Sequence, residues 1–370
     1  MRVLATIGFS FSAGAFLASL LPWNGWQLYA AGGILLLALA WLFAARKQKY
    51  FRRGLLILLP LAVSLAYFAG YDHLVRQPIE DRCGAASDFA ATVCDWPQAT
   101  ERGARVTVEL EGYHRARAVL YGEAELLAAR PGDTVTGTAQ WQSAAHFDSD
   151  DVTHFNARGV YALLYGREDV RLSAGDGDAL RWLPQRAGKA FREKVAAIWD
   201  DPRGSGFLTA ELTGDKSAMD DGDYLAMQET GLAHLFAVSG LHCAFLVTLL
   251  ALRSSRRQSL LCAVTFPLLL FYMVMVGMSP SVVRACIMQI FLLIAPLFRR
   301  GSDPLTSLAA ALLVILLCNP FAAASVSLQL SFSATLGMVL LSPRLYKLLA
   351  GGYMGKGRTL RAALGCVAAD

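Results

Sequence analysis

Polar side chains set inside long apolar stretches carry most of the chemistry that this sequence offers. His234 and His242 flank Ser239 and Gly240 where a polar, glycine-punctuated segment, TAELTGDKSAMDDGDYLAMQETGLAHLFAVSGLHCAF (209–245), runs into an apolar one. Arg284 and Gln289 lie in SPSVVRACIMQIF, and Gln329 lies in SVSLQLSF. Imidazole, guanidinium and amide groups at hydrocarbon depth are costly unless they face a cavity or one another, so such residues mark paths for polar or charged substrates. His234, Ser239, Gly240, His242, Arg284, Gln289 and Gln329 are therefore candidates for the wall of a polar path. Hydrogen bonding between helices is the second reading for His234, His242, Arg284, Gln289 and Gln329, and it stays open. Arg284, one turn into its apolar run, either snorkels to a headgroup layer or faces inward. A Ser-Gly break at 239–240 would free backbone groups to line such a path.

Sharper chemistries fail on spacing. TGDKS is no phosphate loop, because Asp215 separates Gly214 from Lys216, and GGYMGKG fails the same test. The two histidines are eight apart with no HExxH frame, and Ser239-Gly240 lacks the GxSxG elbow. No catalytic residue, metal site or cofactor is expected, and the chain is not expected to be an enzyme.

The elements that must position these groups follow from composition. The chain has 370 residues, 55% of them hydrophobic and 17% charged. Its mean hydropathy is +0.41, which leaves too little charge for an ordinary soluble surface. Apolar runs near the length of a bilayer-crossing helix occupy 3–21, 28–45 and 54–71, then 232–252, 260–277, 282–298, 305–318 and 326–341, with a last run from Leu360. Arginine and lysine concentrate in alternate loops: RKQKYFRR, RSSRR, Arg299 with Arg300, and the stretch from Arg344 to Arg361. The intervening short loops carry neither. The positive-inside rule then puts the N-terminus in the cytoplasm and 72–230 outside it.

Between Asp72 and Asp178 the apolar runs vanish. This stretch holds ten Arg and no Lys against eighteen Asp and Glu, a balance of −8 that leaves the rest of the chain at +13. Its segments SDFAATVCDW, GARVTVELEGY, RARAVLYGE, DTVTGTAQW and VYALLYG alternate with period two between turn residues, the pattern of five short antiparallel strands. Five such strands suit a small barrel of the OB type, whose face binds oligonucleotides or oligosaccharides. Arg102, Arg105, Tyr113, Arg115 and Arg117, with Trp141 and Tyr121 near them, are the candidates for contact with such a ligand, single-stranded DNA or an oligosaccharide. A solvated strand face interrupted by Glu101, Glu109 and Glu111 is the alternative.

Cys83 and Cys94, outside the apolar runs and in an oxidising compartment, are candidates for a disulfide, with two unpaired thiols as the alternative. The stretch LRWLPQRAGKAFREKVAAIW (180–199) is a basic amphipathic helix that either lies on the membrane surface or packs beneath the outer domain. The expected fold is thus a polytopic α-helical membrane protein with an inserted extracytoplasmic OB-like β-barrel. Its parts are three N-terminal spans (1–71), the outer domain (72–179), an interfacial helix and polar connector (180–230), and a membrane core (231–370).

The segment ELTGDKSAMDDGDYLAMQETGLAHLFAVSGLH resembles the signature of ComEC-type competence proteins, which form the inner-membrane channel for DNA uptake. SPSVVRACIMQIFLLIAPLFRRGSDPLTSLAAALLVILLCNPFAAASVSLQLSFSATLGMVLL looks like that family's membrane core, and HFDSDDVTHFNARGVYALLYG more loosely resembles the end of its outer domain. The resemblance implies a channel in the cytoplasmic membrane that passes single-stranded DNA during natural transformation. It implies as partners an extracytoplasmic DNA receptor, a cytoplasmic DNA motor or single-strand-binding protein and the lipid bilayer, with a homo-oligomer as a further expectation. A permease for another anion, or a non-transporting envelope protein whose barrel binds a partner, are the competing readings. Many family members continue into a metallo-β-lactamase-like domain. This sequence stops at Asp370 as LRAALGCVAAD enters an apolar run, so a truncated chain without that nuclease step is expected.

Overall fold

The computed structural model describes residues 3–20, 26–44, 51–101, 103–113, 116–144, 154–167, 169–177, 179–198, 201–214, 219–232, 240–253, 258–298 and 303–353. The helices are α1 (Val3–Leu20), α2 (Trp26–Ala44), α3 (Phe51–Tyr71), α4 (Gln77–Glu80), α5 (His154–Ala157), α6 (Leu183–Ile198), α7 (Pro202–Thr213), α8 (Asp221–Glu229), α9 (Gly240–Arg253), α10 (Gln258–Met275), α11 (Pro280–Ile294), α12 (Pro304–Cys318) and α13 (Val326–Tyr353). The strands are β1 (Ala86–Val93), β2 (Gln98–Thr100), β3 (Gly103–Leu110), β4 (Arg117–Gly122), β5 (Thr134–Ser143), β6 (Val160–Gly166) and β7 (Arg171–Ser173).

Among the described residues three helical stretches are long and apolar enough to cross a membrane: Val3–Leu20, Arg53–Glu80 and Val326–Tyr346. The other expected spans that are described are shorter apolar helices, and the run from Leu360 lies outside the described residues. Small residues let α1 sit between two neighbours. A Cβ on Gly8 would come 2.7 Å from the Ala309 carbonyl oxygen of α12, and one on Gly14 would come 2.9 Å from the Leu61 carbonyl oxygen of α3. Such close backbone approach is what dispersion-driven packing of apolar helices requires. Proline occupies the first turn of both α11 and α12, where its missing N–H costs nothing.

The helix of α3 does not stop at Asp72. It continues through a π-helical stretch, Asp72–Arg76, into α4. Asp72, Arg76 and Glu80 recur at four-residue spacing, so Arg76 bonds Asp72 and reaches Glu80 at 3.0 Å along one face.

The five segments of alternating sequence form the barrel. Its strands run in the cyclic order β1-β3-β4-β6-β5 and back to β1. Every neighbouring pair in that cycle is antiparallel except β4 with β6. β2 extends the sheet beside β3, and β7 beside β5. Alternate residues such as Val106, Val108, Leu120, Val135 and Leu164 fill the interior. Trp141 is 1% exposed within it and donates its Nε1–H to the Ser87 carbonyl. It shares a face with Val135 and Ala139, so it cannot serve as the outer aromatic that the sequence reading placed near the arginines.

The barrel is docked on the helices by the 3₁₀ turn Pro320–Ala324 between α12 and α13. Phe321, fully buried, packs its ring against Phe68 and Tyr71 of α3 and Tyr161 of β6, with Arg76 over its face. Asn319 donates to the carbonyls of Asn156 and Ala157 in α5, at 2.9 and 3.1 Å.

The basic amphipathic helix is α6, and it is tied to the barrel. Trp96 donates to the Gln185 carbonyl, and the Lys189 ammonium sits 3.8 Å from the centre of the Trp96 ring. Gly188 presses against the Met275 backbone at the end of α10. Of the two placements expected for this helix, packing against the barrel is the one seen, while Leu183, Phe191 and Ile198 of the same helix remain exposed.

Candidate functional site

α11 packs against α9, α10, α12 and α13. Val282, Cys286 and Ile290, at four-residue spacing, are buried with Cys243 and Val247 of α9 and Leu269 and Tyr272 of α10. The sulfurs of Cys243 and Cys286 lie 3.4 Å apart. On another face Arg284 reaches α13. Its Nε donates to the Ser331 hydroxyl at 2.9 Å, and Nη1 donates to the Thr335 hydroxyl at 2.8 Å. Nη1 also approaches the Met288 sulfur at 3.6 Å, and the Ser281 hydroxyl lies 3.5 Å from that of Ser331.

Ser331 and Thr335 are one helical turn apart, as are Ser281 and Arg284 within α11, so two short polar stripes face each other. Thr335 in turn donates to the Ser331 carbonyl, which fixes its hydroxyl oxygen toward the guanidinium. Among the described residues no carboxylate neutralises Arg284, and its Nη2 has no partner. A half-buried cation whose neighbours are all neutral retains its attraction for an anion, and its two spare N–H groups suit a phosphate or carboxylate oxygen. The α10–α11 turn just before it holds Met278 at φ +54, a left-handed conformation that a non-glycine residue adopts under strain.

The other candidates fall differently. Gln329 does not join Arg284: it donates to the Ala323 carbonyl and braces the turn that carries Phe321. Gln289 is five residues beyond Arg284, roughly 140° around the helix, and shares none of its partners. His242 is half-buried in the first turn of α9 beside Cys243, and Gly240 begins that helix. His234 and Ser239 lie outside the described residues. Ser281 and Thr335 were missed. Ser281 lies one helical turn from Arg284 and Thr335 one turn from Ser331, but nothing in one helix's sequence indicates which face of another it meets.

On the barrel, Arg102 and Arg115 lie outside the described residues. Arg105 is exposed on β3 and gives both Nε and Nη2 to the Gln98 side-chain oxygen, at 3.0 and 2.7 Å. Its register partner on β4 is Tyr121. Arg117 stands opposite Glu109, four strand positions from the Tyr121 rung, or about 13 Å along β4. Tyr113 packs on Trp141 and takes Arg82 over its ring instead. Arg105 and Arg117 therefore stand on separate rungs of the β3–β4 pair, and the cation over the Tyr113 ring is Arg82. Tyr165, which the sequence reading passed over, is stacked on Tyr121 with ring centres 5.2 Å apart and an angle of 12°.

The expected disulfide is not formed. Cys83 follows α4 and directs its thiol to the Ile79 carbonyl, while Cys94 follows β1 and directs its own to the Thr92 carbonyl. The eight residues of β1 lie between them. At roughly 3.3 Å each these span on the order of 25 Å, whereas bridged Cα atoms lie within about 7 Å. Burial pushes the Cys83 thiol up to about 11, with Glu80 adding to it, and burial likewise pushes Cys94 up to about 11.

Residues 212–367 match the family model described as Competence protein. Over 147 residues the chain is 31% identical to ComE operon protein 3 of Bacillus subtilis (strain 168), a stretch amounting to 38% of this chain and 19% of that protein. No solved structure matches the chain. The resemblance to ComEC-type competence proteins, read from the segments between Thr209 and Leu341, is borne out.

Proposed function

From the premise that residues 212–367 are a competence-protein segment of the ComEC type, we propose that the chain forms part of a path for single-stranded DNA through the cytoplasmic membrane. The observation that carries this reading is Arg284, a cation without an acidic partner among the described residues, held between α11 and α13 by Ser331 and Thr335. A path for a polyanion needs fixed cations and hydrogen-bond donors along its wall, each strong enough to attract a phosphate and isolated enough to release it. One guanidinium with spare donors meets that requirement better than an ion pair would.

Two further features support the setting. Three helices long and apolar enough to cross a membrane, with basic residues in alternate loops, favour a multi-pass chain whose barrel lies outside the cytoplasm. The closed five-strand cycle, with a single parallel pairing between β4 and β6, favours an OB-type barrel that meets the strand first. An outer receptor would deliver the DNA and a cytoplasmic motor or single-strand-binding protein would draw it in. The reading assigns no bond-breaking step to these residues.

The test is entry of labelled DNA into a nuclease-protected compartment in a strain deleted for the gene. The reading expects surface binding to persist and protected DNA to vanish. Normal protected uptake, with altered uptake of a small anion instead, would favour a permease and overturn it.

A further inference from the structure

We infer that the outer face of the barrel carries a stacking surface for the unpaired bases of single-stranded nucleic acid, centred on Tyr121 and Tyr165. Five side chains form one lateral row across five strands. Gln98 of β2 pairs in register with Arg105 of β3, Arg105 with Tyr121 of β4, Tyr121 with Tyr165 of β6, and Tyr165 with Gln140 of β5. Adjacent strands lie roughly 4.8 Å apart, so the row extends about 19 Å.

The two rings are nearly parallel, at 12°, and Tyr165 is 37% exposed. Among the described residues neither phenol hydroxyl has a hydrogen-bond partner of at most 3.5 Å. A cross-strand aromatic pair by itself stabilises a sheet. Here the next rung adds a guanidinium clamped by the two bonds to Gln98, which leaves its Nη1 donors directed at no group among the described residues. The two rings give one face each to the other, and an outer ring face beside one oriented cation is the combination that takes a base face and its neighbouring phosphate. A sugar would use a ring face too, but it has no need of the cation.

The acidic balance of the outer domain, −8 between Asp72 and Asp178, bears on how such a surface would work. A net negative domain gives a polyanion no long-range attraction, so stacking rather than charge must supply the affinity. That predicts weak salt dependence, an unusual signature for nucleic-acid binding. The inference rests on the DNA-uptake reading for why a strand reaches this face, but its test is separate.

The test measures binding of a fluorescein-labelled twelve-nucleotide oligothymidylate to the whole chain in nanodiscs. Tyr121→Ala and Tyr165→Ala should each weaken binding by about tenfold or more, while Tyr121→Phe and Tyr165→Phe retain it. For the unmodified chain, log affinity against log salt should fall with a slope of about −0.7, that of one phosphate contact. Unchanged affinity in both alanine variants, a slope several times steeper, or loss in those variants of binding to a neutral glucan oligosaccharide while oligothymidylate binding is unaltered, would each overturn the surface. Failure here leaves Arg284→Ala still able to abolish uptake. Failure of the uptake reading leaves oligonucleotide binding by the tyrosines intact.

Discussion

Arg284 on α11 donates its Nε–H to the Ser331 hydroxyl on α13, 47 positions later in the chain, at 2.9 Å. The contact joins two helices through a full positive charge with no acid to balance it among the described residues. Holding such a charge away from water costs free energy, and replacing a half-buried ion by an apolar side chain of similar volume is often neutral or stabilising. Arg284→Met is therefore expected to keep or raise thermal stability in detergent while abolishing DNA uptake. A large loss of stability would make Arg284 a structural brace.

The junction between barrel and helices depends on one ring. Phe321 fills the space between Phe68, Tyr71 and Tyr161. Phe321→Ala should cost about 3–5 kcal/mol, and should open the junction to protease before the helices unfold. Thermal unfolding followed by limited proteolysis checks this. Cleavage confined to other loops would contradict it.

Close helix contact makes Gly8 irreplaceable. The obstacle to a Cβ there is the Ala309 backbone, which cannot rotate away, whereas a Cβ at Gly33 meets nothing within 4 Å. Gly8→Ala should reduce the yield of folded protein and Gly33→Ala should not. Size-exclusion profiles in detergent compare the two.

Cys83 and Cys94 should be found as separate thiols. Only the thiolate alkylates, and it forms as pH rises through the thiol pKa. With both pKa values raised from 9.0 to about 11, the thiolate fraction at pH 8 is about 100-fold smaller than for an unperturbed group. Iodoacetamide labelling of the native chain should be slow at pH 8 and climb toward pH 11. A linked Cys83–Cys94 peptide in nonreducing mapping would contradict this account.

Much of the architecture is written in local pattern. Period-two alternation located all five barrel strands, and apolar runs located α1, α2, α3 and α9 to α13, because burial on one face or on all faces dictates residue type directly. β2 and β7 are three residues each, too short to carry a period. The continuation of α3 to Glu80 was hidden because its polar residues stabilise one another at i, i+4 rather than by burial. In the site, Arg284 was legible as a charge out of place. Its partners were not, since Ser331 and Thr335 belong to a helix 47 and 51 positions away, and inter-helix facing is a property of the packed bundle. The Tyr121–Tyr165 stack was hidden for the same reason: it depends on the parallel pairing of β4 with β6.

The central claim is that the Arg284 guanidinium lines a path for DNA. The most direct measurement is nuclease-protected DNA in a deletion strain complemented with the native gene or with its Arg284→Ala form, at matched protein abundance and with surface-bound DNA counted separately. The account predicts that surface binding is unchanged and that protected DNA falls by tenfold or more, about 1.4 kcal/mol or greater. Equal protected DNA in the two strains would remove Arg284 from the path.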